Sequence, residues 1–298
     1  MNLVVALGGN ALLKRGEPLT IAMQKKNIEQ ASRHLAKIAQ SHSIVLTHGN
    51  GPQVGLLALQ SAAAKTDDFS LDILGAESEG MIGYMLEQEM RNQLPKKPIA
   101  TLLTQVEVDP RDAAFRDPAK FIGPVYTQEQ SLQLAAIHPQ WQFKQDGSNF
   151  RRVMASPEPK NILELTAIQF LIHSDFLVIC CGGGGIPVVK RGGCYYGIEA
   201  VIDKDLSAAL LAEQLSADGL LMLTDVKAVM SNWNTPQAQP IRKISIEELQ
   251  KENFPPGSMG PKVQAAINFV KASGKAAYIG ALEEAEWILQ GKAGTQVL

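Results

Sequence analysis

The chain has 298 residues, 45% of them hydrophobic and 19% charged, with a formal net charge of −2. Those figures fit an ordinary globular protein with enough chain to bury a sizeable core, as one large α/β domain or two smaller ones. They exclude a global basic field of the kind that holds nucleic acid, and no apolar run approaches the roughly 20 residues that span a bilayer.

The N-terminus goes straight into an apolar strand, Leu3 to Leu7, without the basic, apolar and small-residue pattern of a secretory leader. That strand ends at Gly8-Gly9-Asn10. Glu17-Pro18-Leu19-Thr20 leads into a long amphipathic helix reaching about Gln40, with Ile21, Ile28, Leu35 and Ile38 on its apolar side. A second strand, Ile44 to Thr47, ends at His48-Gly49-Asn50-Gly51 and passes into another helix. Residues 71 to 93 read as a helix that is largely buried, with Ile73, Met81, Ile82, Tyr84 and Met85 serving core or subunit interface. Ile99 to Leu103 begins another strand.

Composition shifts near Val108. From Asp109 to Pro159 the chain is rich in Pro, Asp, Arg and aromatics, and Phe115, Phe121, Tyr126, Trp141, Phe143 and Phe150 argue for a small folded excursion rather than disorder. A helix, Ile162 to His173, returns to a short apolar strand, Phe176 to Cys181, and four glycines, Gly182 to Gly185, follow at once. Asp203-Lys204-Asp205 opens an Ala/Leu-rich helix for which Asp205 is the expected cap. A strand follows from Gly219 to Thr224. Pro261 fits a first helical position, which places Lys262 in the first turn of the helix after it. Ala276 to Ile279 is a last strand and Leu282 to Leu289 a last helix. Three cysteines cannot build a disulfide framework; all three are expected reduced and structural, which favours the cytoplasm.

The same event thus occurs three times: an apolar strand, a Gly/Asn-rich turn, a helix. In an open parallel sheet such turns lie at the carboxyl ends of the strands, where ligands bind. Free N–H groups and helix N-termini there make an anion site, and a lysine in a first helical turn opposes the helix dipole by about 0.3–1 kcal/mol unless an anion offsets it. Neither a P-loop nor a GxGxxG fingerprint is present, and His34, His42, His48, His138 and His173 lack metal-ligand spacing with Cys or acids. Lysines with backbone donors and no evident nucleophile suit phosphoryl transfer to a group that is already nucleophilic.

The sequence resembles the carbamate kinases, within the amino acid kinase family. The matching runs are VVALGGNALL (4–13), THGNGPQVGLLALQ (47–60), LGAESEGMIGYMLEQEM (74–90), ATLLTQVEVDP (100–110), FIGPVY (121–126), FRRV (150–153), CGGGGIPVV (181–189), EAVIDKDL (199–206), LTDV (223–226) and GSMGPKVQAAINFV (257–270), in order along nearly the whole chain. The resemblance implies a single domain over 1–298: an αβα sandwich around a mainly parallel eight-stranded sheet, with residues 109–155 as a small protruding subdomain that closes over substrate. It implies a homodimer that transfers phosphoryl reversibly between ATP and carbamate, giving ADP and carbamoyl phosphate with Mg²⁺, mostly toward ATP in fermenting cells.

It also implies roles. Lys204 and Lys262 match the lysines on the nucleotide phosphates and the transferring group, Asp205 the acid that orients them, and Lys120 the lysine brought in by the subdomain. Gly8, Gly9 and Asn10 match the first phosphate turn, Asn50 and Gly51 the second, and Gly183 and Gly184 the third. Thr224, Asp225, Val229, Met230, Ser258 and Met259 fall where the nucleotide binds. The metal's protein ligands are unassigned. Phe121 stands where many members carry proline, Ala155 likewise, and Lys227 and Met230 stand where many carry an acid and a tyrosine. Two other readings remain open: a kinase of another small carboxylate or phosphonate, and a non-catalytic regulator that binds ADP or carbamoyl phosphate.

Overall fold

The computed structural model describes the chain apart from residues 15, 65–68, 234, 253 and 255–258, and apart from the side chains of Asn10 and Ala62. In chain order it opens with β1 (Asn2–Leu7), α1 (Gly9–Leu12), α2 (Ile21–Ser41), β2 (Ser43–His48), α3 (Gly51–Ala63), α4 (Leu71–Gln93), β3 (Ile99–Thr101) and β4 (Gln105–Val108). Residues 120 to 154 give β5 (Lys120–Tyr126), α5 (Gln128–Ile137), β6 (Gln142–Asp146) and β7 (Asn149–Met154). Then come β8 (Pro159–Ile162), α6 (Leu165–His173), β9 (Leu177–Ile179), β10 (Ile186–Arg191), β11 (Cys194–Gly197), α7 (Lys204–Gln214) and β12 (Gly219–Thr224). The chain ends with β13 (Met230–Ser231), β14 (Gln239–Pro240), β15 (Lys243–Ile244), α8 (Ile246–Leu249), α9 (Met259–Ser273), β16 (Ala277–Ala281), α10 (Ala285–Leu289) and β17 (Thr295–Val297).

The main sheet has eight strands in the order β15-β17-β16-β12-β1-β2-β9-β3, parallel throughout except where β17 runs against β16. Its central strands are apolar on both faces, as a sheet covered on both sides requires. Alternate residues of β1 point to opposite faces: Val4 and Ala6 join a core shared with α7 and α9, and Leu3, Val5 and Leu7 join one shared with α2 and α4. This is the three-layer αβα arrangement with a mainly parallel sheet. Residues 120 to 154 make a separate three-stranded antiparallel sheet, β5-β7-β6, which meets the rest through Ile122 and Met154 packed with Val54 and Ala58 of α3.

Several local expectations need correction. Ile21 opens α2 but is 52% exposed, because Thr20 caps the helix at its edge and the apolar stripe begins only at Ile28. Ile73 and Tyr84 of α4 are also exposed rather than core. Ile162 closes a strand, β8, which pairs with β4, and does not open α6, which begins at Leu165. Cys180 and Cys181 are buried free thiols, whereas Cys194 is exposed on the β10–β11 hairpin and has no structural role in the core. No helix of the described residues is long and apolar enough to cross a membrane.

Candidate active site

The parallel order sets β1, β2 and β12 side by side, so the turns that follow them emerge on one edge of the sheet. The turn after β9 joins them through β2. The turns touch. A Cβ on Gly49 would sit 3.1 Å from the Gly9 backbone nitrogen and 3.3 Å from Lys204 Cδ, a tight fit that would push the first two turns or the lysine arm apart by a few tenths of an ångström. A Cβ on Gly183 would fall 2.1 Å from Asn50 Nδ2, and Gly183 has φ +68°, a left-handed conformation that also favours glycine. The three turns therefore form one continuous floor.

Over that floor lies a cleft of about 290 Å³. Of the residues singled out in the sequence, Gly8, Gly9, Asn50, Gly51, Gly183, Lys120, Lys204, Asp205, Lys262, Thr224, Asp225 and Met259 line it. Gly184, Val229 and Met230 do not. Gly184 turns its carbonyl away to accept from Ser207 Oγ at 2.7 Å, Val229 is buried with its N–H on Thr295 Oγ1, and Met230 pairs with Pro240 in a two-stranded ribbon. Asn10 lies in α1 with its side chain outside the described set, and Ser258 lies outside the described residues.

The charged centre is Asp205. It is not the cap of α7: Asp203 is, its Oδ1 accepting from the Asp205 N–H at 2.9 Å. That frees the Asp205 carboxylate for two lysines. Lys204 Nζ donates to Oδ1 at 2.6 Å, and Lys262 Nζ donates to Oδ2 at 3.0 Å. Lys262 arrives from α9, which starts at Met259, so Pro261 is its third residue and Lys262 still sits in the first turn. All three groups are largely buried.

Burial works against ionising Asp205, but the two ammonium groups and their hydrogen bonds outweigh it and hold the carboxyl well below the usual carboxylate range. Burial lowers the Lys204 pKa, and the neighbouring charge of Lys262 adds to that against the pull of Asp205. For Lys262 burial is opposed by Asp205, whose charge and hydrogen bond win and raise its pKa.

Sequence reasoning quoted Asp203 but gave it no role. Its second oxygen, Oδ2, takes an ion pair from Lys120 Nζ of β5, so residues 120 to 154 reach the cleft through this contact. Phe121 and Ile122 line the cleft beside it, with the Arg151 guanidinium 5.5 Å from the centre of the Phe121 ring. Three lysines and three aspartates, Asp225 among them, line the cleft, so its formal charge is balanced before a ligand and its metal ion enter. Gly49, Pro52, Val201, Ile202, Val226 and Pro261 also line the cleft. Gly49 carried a readable signal, since it sits inside the Gly/Asn turn after β2, and Pro52 follows that turn at the start of α3; Val201 and Ile202 are apolar residues with none.

Comparison with known proteins agrees with this geometry. A sequence model of the amino acid kinase family matches residues 1–281. The chain is 53% identical to the carbamate kinase of Rhizobium meliloti over 99% of its own length and 92% of the relative's. It is equally identical to that of Escherichia coli K12, over 98% of each chain. The solved structure of carbamate kinase from Giardia lamblia bound to AMP-PNP superposes with a TM-score of 0.92 at 40% identity, covering 100% of this chain and 98% of that one. With the glycine floor, the paired lysines and the sheet order all in one cleft, the chain belongs to the amino acid kinase family, among its carbamate kinases.

Proposed function

We propose that the chain transfers phosphoryl reversibly between ATP and carbamate, giving ADP and carbamoyl phosphate, with formation of ATP as its catabolic direction. The observation that carries this reading is the pair of buried lysines fixed on one carboxylate, Lys204–Asp205–Lys262, over a floor of backbone donors.

The carbamate oxygen is already anionic, so attack on the γ-phosphorus needs no general base. The reaction asks instead for positioning and for neutralisation of charge on the phosphoryl oxygens. Lys204 and Lys262 supply that charge, pre-aimed by Asp205, so little reorganisation accompanies the reaction. The turns at Gly8–Gly9, at Asn50–Gly51 and at Gly183 hold phosphate and the small acid. The stretch from Thr224, with Met259 opposite, takes the nucleotide. In reverse, the terminal oxygen of ADP attacks the phosphorus of carbamoyl phosphate and carbamate leaves.

Mg²⁺ belongs to this proposal as the companion of the nucleotide. Among the described residues no group of three His, Cys, Asp or Glu side chains could hold a metal ion. Asp203 and Asp205 are already engaged by lysines. Phosphate oxygens and water would therefore be its main ligands, the ordinary pattern for this ion, and no step is assigned to it.

The remaining parts of the reading are a single domain in which residues 109–155 act as a protruding subdomain carrying Lys120, a homodimer, and a cytoplasmic setting. The separate β5-β7-β6 sheet, the exposed apolar residues along α4 and the three free thiols support them in turn. The test is ATP formation from ADP and carbamoyl phosphate with Mg²⁺, using the purified chain and Lys262→Ala as control. Turnover that vanishes in the control is expected. ADP binding without turnover would replace this reading with a different acid substrate or a regulatory role.

A further inference from the structure

Helix α4 lines none of the cleft, yet two of its consecutive residues grip the glycine floor from behind. Ser78 Oγ accepts from Asn50 Nδ2 at 2.8 Å. Glu79, 1% exposed, accepts from the Gly182 N–H through Oε1 at 2.7 Å and from the Thr104 N–H through Oε2 at 3.2 Å. Thr104 holds the same turn twice more: its hydroxyl accepts from the Cys181 N–H at 3.0 Å, and its carbonyl accepts from the Ile186 N–H at 2.8 Å.

The turn needs this support. Cys181, Gly183, Gly184 and Gly185 all have positive φ, at 52°, 68°, 100° and 87°. For Cys181 that conformation is strained and persists only where its surroundings over-determine it. Gly183 then lies directly against Asn50. The second and third turns are thus set relative to each other by Ser78 and Glu79, one residue apart on one helix.

In its ionised form the Glu79 side chain presents two acceptor oxygens and no donor to this pair of N–H groups. It is also costly here. Burial pushes Glu79 up to about 8, against the pull of the Gly182 and Thr104 N–H groups. The titratable groups facing it are Glu164 at the start of α6, Cys181 after β9 with Cys180 beside it, and His48 at the end of β2. None of them is a cation: burial holds His48 down to about 4, and its Nε2 has no hydrogen-bond partner. A Cβ on Gly182 would fall 2.4 Å from that Nε2 and 2.8 Å from Glu79 Cγ, so both groups press on the same glycine. A leucine at position 79 would leave both N–H groups without an acceptor, and a glutamine could satisfy only one of them.

We propose that Glu79, with Ser78 beside it, is a positioning residue of the phosphoryl-transfer site, fixing the Gly182–Gly184 turn and Asn50 in the geometry that the reacting groups require. The inference rests on the carbamate kinase reading of the cleft. Glutamine at position 79 keeps the volume but turns an amide donor toward one of the two N–H groups. A displacement of the floor by about 1 Å can cost on the order of 10²-fold in rate.

The experiment measures ATP formation from ADP and carbamoyl phosphate across roughly pH 6 to 9.5 for the intact chain, Glu79→Gln and Ser78→Ala. For Glu79→Gln the expected result is a fall in kcat of about tenfold or more, with KM for ADP within about twofold. The unaltered chain is expected to show an inflection near pH 8, where Glu79 ionises and both its oxygens become acceptors, and Glu79→Gln is expected to lack it. Ser78→Ala, which leaves Asn50 without its acceptor, is expected to raise KM for carbamoyl phosphate several-fold. Unaltered kcat and pH profile in Glu79→Gln overturn the proposal. If that variant does not fold, Ser78→Ala decides, and unaltered kinetics there overturn it too. Absence of turnover in the unaltered chain overturns the carbamate kinase reading itself, which is a separate failure.

Discussion

At the scale of single residues the cleft distinguishes three lysines by what holds them. Lys204 and Lys262 share one buried carboxylate, so each ammonium is aimed before any ligand arrives. Lys120 is tied to Asp203 and comes from a different sheet. Replacing Lys204 or Lys262 with alanine removes a fixed charge from the transferring group and should lower kcat by about 10²-fold or more, as for other pre-aimed donors. It also strips the buried Asp205 carboxylate of one of its two cationic partners, so thermal melts should accompany the kinetics. Lys120→Ala should act mainly on KM for carbamoyl phosphate, because its partner Asp203 keeps its capping bond without it. Equal effects of all three substitutions on kcat would contradict this division.

At the scale of elements, what the sequence showed and what it hid follow from range. Strand, turn and helix at the first two sites were legible because the apolar runs, the glycines and the caps are neighbours in sequence, as with Thr20 and α2. The capping of α7 was not. Asp203 and Asp205 are equally good caps by type, and the choice is settled by Lys262, 57 residues away, which claims the second aspartate. Short strands were hidden for the same reason: β8 and the β10–β11 hairpin exist through pairing with β4 and with each other. Glu79 carried no local signal, since an acid in a long helix ordinarily faces water. Asp203→Ala removes both the cap and the Lys120 partner. It should cost about 0.5–2 kcal/mol of stability through the cap, read as a lower Tm, whereas Asp203→Asn keeps the acceptor and should restore most of it.

At the scale of the whole molecule, α4 has two faces with different partners. One buries Leu74, Ile82, Leu86 and Met90 and places Ser78 and Glu79 behind the turns. The other leaves Ile73 at 45% and Tyr84 at 58% exposed, and Leu103, itself 52% exposed, lies close to Gly80 of the same helix. Apolar side chains grouped on a helix that is otherwise packed mark an association surface more often than a solvated one. A second copy of the chain is the proposed partner, so the helix that fixes the site would also carry the subunit contact. Sedimentation equilibrium at micromolar concentration should then give twice the mass of one chain. Tyr84→Glu with Leu103→Glu should shift the mass toward a single chain, because a closed symmetric contact meets each introduced charge twice. Monomeric behaviour of the unaltered chain at tens of micromolar would dispose of the dimer, while leaving the cleft and its lysines as they are.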